Sequence, residues 1–241
     1  MKGYKALDKN MRSVCGNGMQ FELGKTYIAE GEVVLCENGF HFCERIEELN
    51  CYYDIDESRI FEVEAGGRIK SGDRKYAAQN IRLIRELTEQ EINGYIKENL
   101  ESFVKEDSSR IRSIAVRRGY GLEELVHDAD WYVRCEVAKQ GYGLNILVHD
   151  KDWQVREEVA RQGYGLDILV HDEDDEVRYA VAEQGYGLNI LVYDKYNDVR
   201  EEVARQGYGL DILVGDRCWY VRREAQKVLE ASRRNNVHDM L

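Results

Sequence analysis

Proline is absent from all 241 residues, where average usage near 5% would supply roughly a dozen. Every turn must then be made by Gly, Asn or Asp, which suits an array of short helices. No apolar run reaches the ~18 residues of a membrane span, and the N-terminus MKGYKALDKN lacks the apolar core of a secretion signal. The chain is therefore read as cytosolic. Among Cys15, Cys36, Cys43, Cys51, Cys135 and Cys218 no pair has Cys-x-x-Cys spacing, and no His pair follows at finger spacing. A zinc site is not indicated, reduced thiols are the default, and no metal or cofactor is implied. A basic excess is also lacking: 34 Lys and Arg face 46 Asp and Glu, for a net charge of −12. That argues against a general nucleic-acid binder, which neutralises phosphates with clustered cations. Solubility is the simplest use of the acidity.

What is present is a repeat. Gly-Tyr-Gly-Leu starts at Gly119, Gly141, Gly163, Gly185 and Gly207, a step of 22 residues without insertion or deletion. A fixed period of this length marks a stacked array, which offers an extended surface for another macromolecule. In the unit 141–162, Leu144, Leu147 and Val148 have the i, i+3, i+4 spacing of a short helix with one buried side. Val155, Val159 and Ala160 give a second such stripe. Asp150 or Asp152 is placed to cap the second helix, and Gly163 to end it. Neither helix is long enough to stand alone, so neighbouring units must bury it. A degenerate copy aligns at 97–118, where Leu100, Phe103, Val104, Ile111, Arg112 and Ala115 fall on the apolar and Arg positions. After the last copy, Val221, Ala225, Val228 and Leu229 extend the final helix, and 231–241 reads as a flexible tail.

The pattern L-x-x-L-V-x-D-x-D-W-x-V-R-x-x-V-A over Leu144–Ala160 resembles the leucine-rich variant repeats, relatives of HEAT-type repeats. The resemblance covers about 119–228 and implies short and longer helices alternating in a right-handed superhelix. Two features depart from that family: Gln-Gly-Tyr-Gly replaces its Asn-Pro-x-Thr-Pro turn, and the cysteine cluster of an iron–sulfur relative is not matched.

Arg134, Arg156, Arg178, Arg200 and Arg222 form a ladder beside Asp128, Asp150, Asp172, Asp194 and Asp216. Two readings stand: Arg–Asp pairing between units, or a basic stripe for a partner or nucleic acid. The constant tyrosines Tyr120, Tyr142, Tyr164, Tyr186 and Tyr208 are expected to pack on the next unit with the hydroxyl near solvent. Specificity should lie where copies differ. One such row reads Trp131, Trp153, Asp175, Asn197, Trp219, and another reads His127, His149, His171, Tyr193, Gly215. Together with Tyr132 and Tyr220 these are the candidate partner contacts, since Trp and Tyr are enriched in interface hot spots. The alternative is that each Trp covers its neighbour's helix. Units about 10 Å apart keep the His row from sharing one metal ion.

Residues 1–96 have a different grammar. GKTYIAEGEVVLC, NGFHFCE and RIFEVEAGG read as strands, with Asn38-Gly39 a turn between two of them. Glu44–Tyr52 reads as a short helix, and 75–87 leads through the strand IRLIREL into a helix at 88–98. The expected architecture is thus an α+β N-terminal domain (1–96), then an all-α solenoid of 22-residue two-helix repeats (97–230). The stretches K-G-Y-K, F-E-L-G-K-T-Y, C-E-N-G-F-H-F-C-E, E-V-E-A and I-R-E-L resemble an uncharacterised domain of phage and Firmicutes proteins, which brings no assigned chemistry. The layout of NGFHFCERIEELNCYY followed by IFEVEAGG is also similar to the strand–helix–strand heart of ADP-ribosyltransferase folds. There His41 stands where that family has a strand Tyr, and no catalytic Glu is assignable.

His41, Cys43 and Glu44 share one strand end, a possible head-domain site whose bland alternative is a buried structural pair. Glu62 and Glu64 share a strand face that reads as solvated. No catalytic residue is assigned. The leading expectation is a non-enzymatic protein-binding module. The domain resemblance adds a plausible phage or prophage origin and action against a host defence system, in the manner of an anti-CRISPR inhibitor. Two alternatives stay open: a divergent NAD-using ADP-ribosyltransferase-like enzyme whose repeats recruit substrate, and nucleic-acid binding through the Arg ladder.

Overall fold

The computed structural model describes residues 1–13, 18–53, 55 and 58–238, with side chains through Arg233. Cys15 and the last three residues of the expected tail lie outside this set. The chain divides into two compact units, Met1–Tyr120 and Gly121–Leu241.

The first unit is built on five antiparallel strands: β1 (Lys2–Leu7), β2 (Thr26–Ile28), β3 (Phe40–Phe42), β4 (Arg59–Ser71) and β5 (Tyr76–Glu86). The order is β1-β4-β5-β2, and β3 also pairs β5, so β2 and β3 follow one another along one edge of β5. Register shifts at Glu62/Val63 and Gly66/Ile69 mark irregularities in β4, of the kind that bend a strand. The sheet curls until Cys43, just after β3, exchanges both backbone hydrogen bonds with Tyr4 of β1 (2.7 and 2.9 Å). A ring β1–β4–β5–β3 results, and it encloses Leu7, Phe21, Phe40, Phe42, Phe61 and Ile81. Gly3 makes the closure possible, because a Cβ there would meet the Phe42 ring at 2.6 Å.

Three sequence expectations need correction here. Of GKTYIAEGEVVLC only Thr26–Ile28 is a strand. The rest turns back on itself: Val34 and Asn38 bond each other's backbone (2.8 and 2.9 Å), and the Asn38 amide donates to the carbonyls of Glu30 and Glu32. Asn38-Gly39 accordingly leads into β3 and does not join two strands. The turn's own side-chain bonds outweigh the β propensity of Val33 and Val34. The expected helix at 44–52 is a 3₁₀ segment, Glu47–Cys51.

Two helices complete this unit, α1 (Glu89–Val104) and α2 (Ser109–Arg117). A capping box starts α1: the Glu91 N–H donates to Thr88 Oγ1, and the Thr88 N–H to Glu91 Oε2. The Tyr95 hydroxyl donates to Glu47 (2.6 Å), and the Arg110 guanidinium to the Cys51 carbonyl (3.1 Å), tying both helices to the 3₁₀ segment. Arg112 donates to the carbonyls of Glu106 and Asp107. Arg134 of the array treats the carbonyls of Asp128 and Ala129 the same way. The degenerate copy thus keeps the repeat's local geometry while lying within the first compact unit.

Among its described residues the second unit holds helices and no strand: α3 (Leu122–Leu125), α4 (Trp131–Lys139), α5 (Leu144–Leu147), α6 (Trp153–Arg161), α7 (Leu166–Leu169), α8 (Asp175–Glu183), α9 (Leu188–Leu191), α10 (Asn197–Arg205), α11 (Leu210–Leu213) and α12 (Trp219–His238). One-turn helices alternate with longer ones; Leu147, Val148, Val155, Val159 and Ala160 are buried, as are their equivalents except Val214 and Gln226 of the last unit. Of the two candidate caps, Asp152 holds the N-cap position of α6, while Asp150 accepts the Asp152 N–H (2.9 Å). The helix α12 runs into the segment expected as a tail. No helix among the described residues is long and apolar enough to cross a membrane.

Candidate functional site

The Gly-Tyr-Gly turn sets the spacing of the array. Its first glycine, as Gly163 (φ +73°), follows the helix in the left-handed conformation with no protein atom closer than 3.9 Å to a would-be Cβ. Its second, as Gly165 (φ +61°), lies against the preceding unit, where a Cβ would come within 2.5 Å of Val148. The tyrosine between them is held outward: Tyr120, Tyr142, Tyr164, Tyr186 and Tyr208 all keep about two-fifths of their surface in solvent. Ile146, Ile168, Ile190 and Ile212, four residues after the last four of these tyrosines, are as exposed. Tyr and Ile therefore recur together along the array as an exposed apolar row. Sequence reasoning missed the isoleucines. Their signal was an apolar residue constant in four copies but outside the buried i, i+3, i+4 stripe.

The ladder is internal. Each Arg reaches the Asp 16 residues ahead, in the next unit: Arg134 to Asp150, Arg156 to Asp172, Arg178 to Asp194 and Arg200 to Asp216, each with a 2.6 Å Nε–H contact and a second guanidinium bond. The Arg side chains are buried, and each also donates to the carbonyl of its own unit's first Asp. Asp128 holds the Asp130 N–H. Arg222 ends the series: it is exposed and, among the described residues, donates to the carbonyls of Asp216 and Arg217. Hydrogen bonding by Arg200 draws the Asp216 carboxyl below its ordinary range. Burial opposes the same effect at Asp150, yet the bond from Arg134 still leaves that carboxyl lowered.

The variable rows lie on the surface. Trp131, Trp153 and Trp219 each leave more than a third of their area in solvent. His127, His149, His171 and Tyr193 are exposed as well. Trp131 meets half-buried Tyr132 edge-on, whereas Trp219 stacks on Tyr220 at 4.0 Å beneath Arg223.

The first unit holds a cleft of about 440 Å³. His41 and Cys43 both line it, as do Lys5, Lys75, Phe21 and Tyr52. Glu44 does not: it is exposed and accepts the Tyr76 hydroxyl (3.0 Å). Glu62 binds Arg85 instead of pairing with exposed Glu64. Lys5 is buried, donates to the His41 carbonyl (2.9 Å) and lies over the Phe21 ring. Lys75 lies 4.6 Å from the centre of the Tyr52 ring, a cation–π distance. His41 Nε2 accepts the Cys36 N–H (2.9 Å), which assigns the proton of the neutral ring to Nδ1. Burial lowers the His41 pKa from its ordinary 6.5, with Lys5 and Lys75 adding to the effect. Burial pushes the Cys43 thiol up to about 12, so at neutral pH it is protonated, as buried thiols are.

Residues 1–95 match the family model described as a domain of unknown function (DUF7666). The match takes in all five strands and the cleft, and ends inside α1. No curated protein matches the chain.

Proposed function

We propose that this chain is a non-enzymatic binding protein in which a DUF7666 head is joined to a leucine-rich-variant-like array that holds another protein. The observation that carries the reading is the exposed row of Tyr and Ile on units tied to one another by the buried Arg–Asp ladder. Constant exposed aromatic and branched side chains cost solubility, and contiguous rows of them characterise protein-contact surfaces. The varying Trp and His positions supply selectivity between partners. A defence complex of a phage host is one partner of this kind, in keeping with the resemblance of the head.

The other two readings have less behind them. The arginines from Arg134 to Arg200 are engaged by carboxylates, so these four are not open to phosphates. A transferase needs an assignable carboxylate beside His41, and among the described lining residues only exposed Glu37 carries one.

The test is capture from a host lysate by the full chain, beside an Ile168→Lys/Ile190→Lys variant and a Trp131→Ala/Trp153→Ala/Trp219→Ala variant. A protein retained by the wild type and lost with the Ile variant, at unchanged helicity and Tm, supports the reading. Equal capture by wild type and both variants, or no capture at all, removes it.

A further inference from the structure

We infer that the cleft of the first unit binds a small planar ring bearing a phosphate. This inference concerns the head alone and stands or falls separately from the array's role. The starting point is charge. The chain carries a net −12, yet this cleft is lined by two lysines and a histidine, with exposed Glu37 the one carboxylate among its described lining residues. Lys75 is half-buried and its ammonium lies over the Tyr52 ring. No described carboxylate pairs with it, so its charge is available to an incoming anion. Lys5 is sunk deeper, at 4% exposure, and is oriented by the His41 carbonyl. His41 is kept neutral with its proton on Nδ1, and so adds a hydrogen-bond donor without a third charge.

Between these cations the walls are aromatic: Phe21, Phe40, Tyr52 and Tyr53. Cations beside aromatic faces in a partly enclosed cavity suit an anion attached to a ring better than a free ion, because the ring replaces water on the apolar walls. The volume, about 440 Å³, lies within the ~300–1,000 Å³ range of small-molecule sites.

The backbone gives an independent sign. Three non-glycine residues among those described have left-handed φ: Met11, Cys36 and Arg74. Cys36 (φ +66°) lines the cleft and places its N–H on His41, and Arg74 (φ +55°) immediately precedes Lys75. Such strained backbone gathers where side chains must be aimed.

Calorimetric titration of the full chain at low salt tests the inference. The probes are AMP and phenyl phosphate, with adenosine and inorganic phosphate as the halves of the chemistry. One-site binding of at least one ring phosphate is expected, with the matching ring or phosphate alone at least about tenfold weaker, since a charge-assisted contact or the ring's burial is lost. Lys75→Met should weaken that binding about tenfold or more with its Tm unchanged. Lys25→Met, on an exposed lysine outside the cleft, should leave it alone. The inference is overturned if neither ring phosphate binds at millimolar concentration, if adenosine binds as well as AMP, or if Lys75→Met binds as the wild type does.

Discussion

Gly163 and Gly165 are two residues apart and share a left-handed φ, but they meet different surroundings. Gly163→Ala meets only backbone strain, about 1–2 kcal/mol. Gly165→Ala adds a collision with Val148 of the preceding unit, which overpacking prices at a further ~1–3 kcal/mol. Urea titrations should therefore rank Gly165→Ala clearly below Gly163→Ala. Equal losses would mean the close approach at Val148 is absent. His41 gives a second test at this scale. Its folded pKa lies below its ordinary 6.5, first through burial and then through Lys5 and Lys75. The unfolded chain thus takes up the proton first as pH falls. The contribution of His41 to head stability is complete above about pH 6.5 and is lost as pH drops toward the folded value. The urea midpoint of the head should fall between pH 7.5 and 5.5, and His41→Gln should flatten that fall.

At the scale of elements, the ladder joins each long helix to the next unit. Removing one member of a buried pair leaves the other charge uncompensated, at about 3–5 kcal/mol. Arg178→Met, which strands buried Asp194, should lower stability by that order. Arg222→Met removes only carbonyl contacts at an exposed position and should cost under about 1 kcal/mol. Chemical denaturation of the two variants settles whether the ladder stabilises the array or merely decorates it. The helix pairs themselves were legible in the sequence, since Leu147, Val148, Val155 and Val159 announce their buried side by spacing alone. The head was legible only in outline. Val33 and Val34 look like strand residues, and only the bonds of Asn38 to Glu30 and Glu32 show that the chain turns there.

For the whole molecule, the two units should respond to acid in different windows. Asp150 and Asp216 have lowered folded pKa values. Their contribution is therefore complete above the ordinary carboxylate value near 4 and is lost as pH falls through the folded values. The head begins to lose stability already below about pH 6.5 through His41. All three tryptophans, Trp131, Trp153 and Trp219, belong to the array, so their fluorescence reports that unit alone. Acid titration in fixed urea should show the head's amide signals weakening before the tryptophan emission shifts. Coincident transitions would contradict separate stabilities.

The sequence by itself determined the period and the helix pairs, and left open whether the Arg ladder pairs within the array or faces a partner. A 22-residue repeat without insertions makes every unit meet its neighbour in the same way, and apolar spacing within a helix is a local property. The tertiary structure alone decided which constant residues stay outside. Tyr142 is as invariant as buried Leu147, and Ile146 recurs in four of the five copies; their exposure depends on where the next unit stops covering them. It also decided the cleft. Lys5, His41, Tyr52 and Lys75 come from separate strands and turns, and no spacing in the chain foretells that a curled sheet will gather them around one cavity.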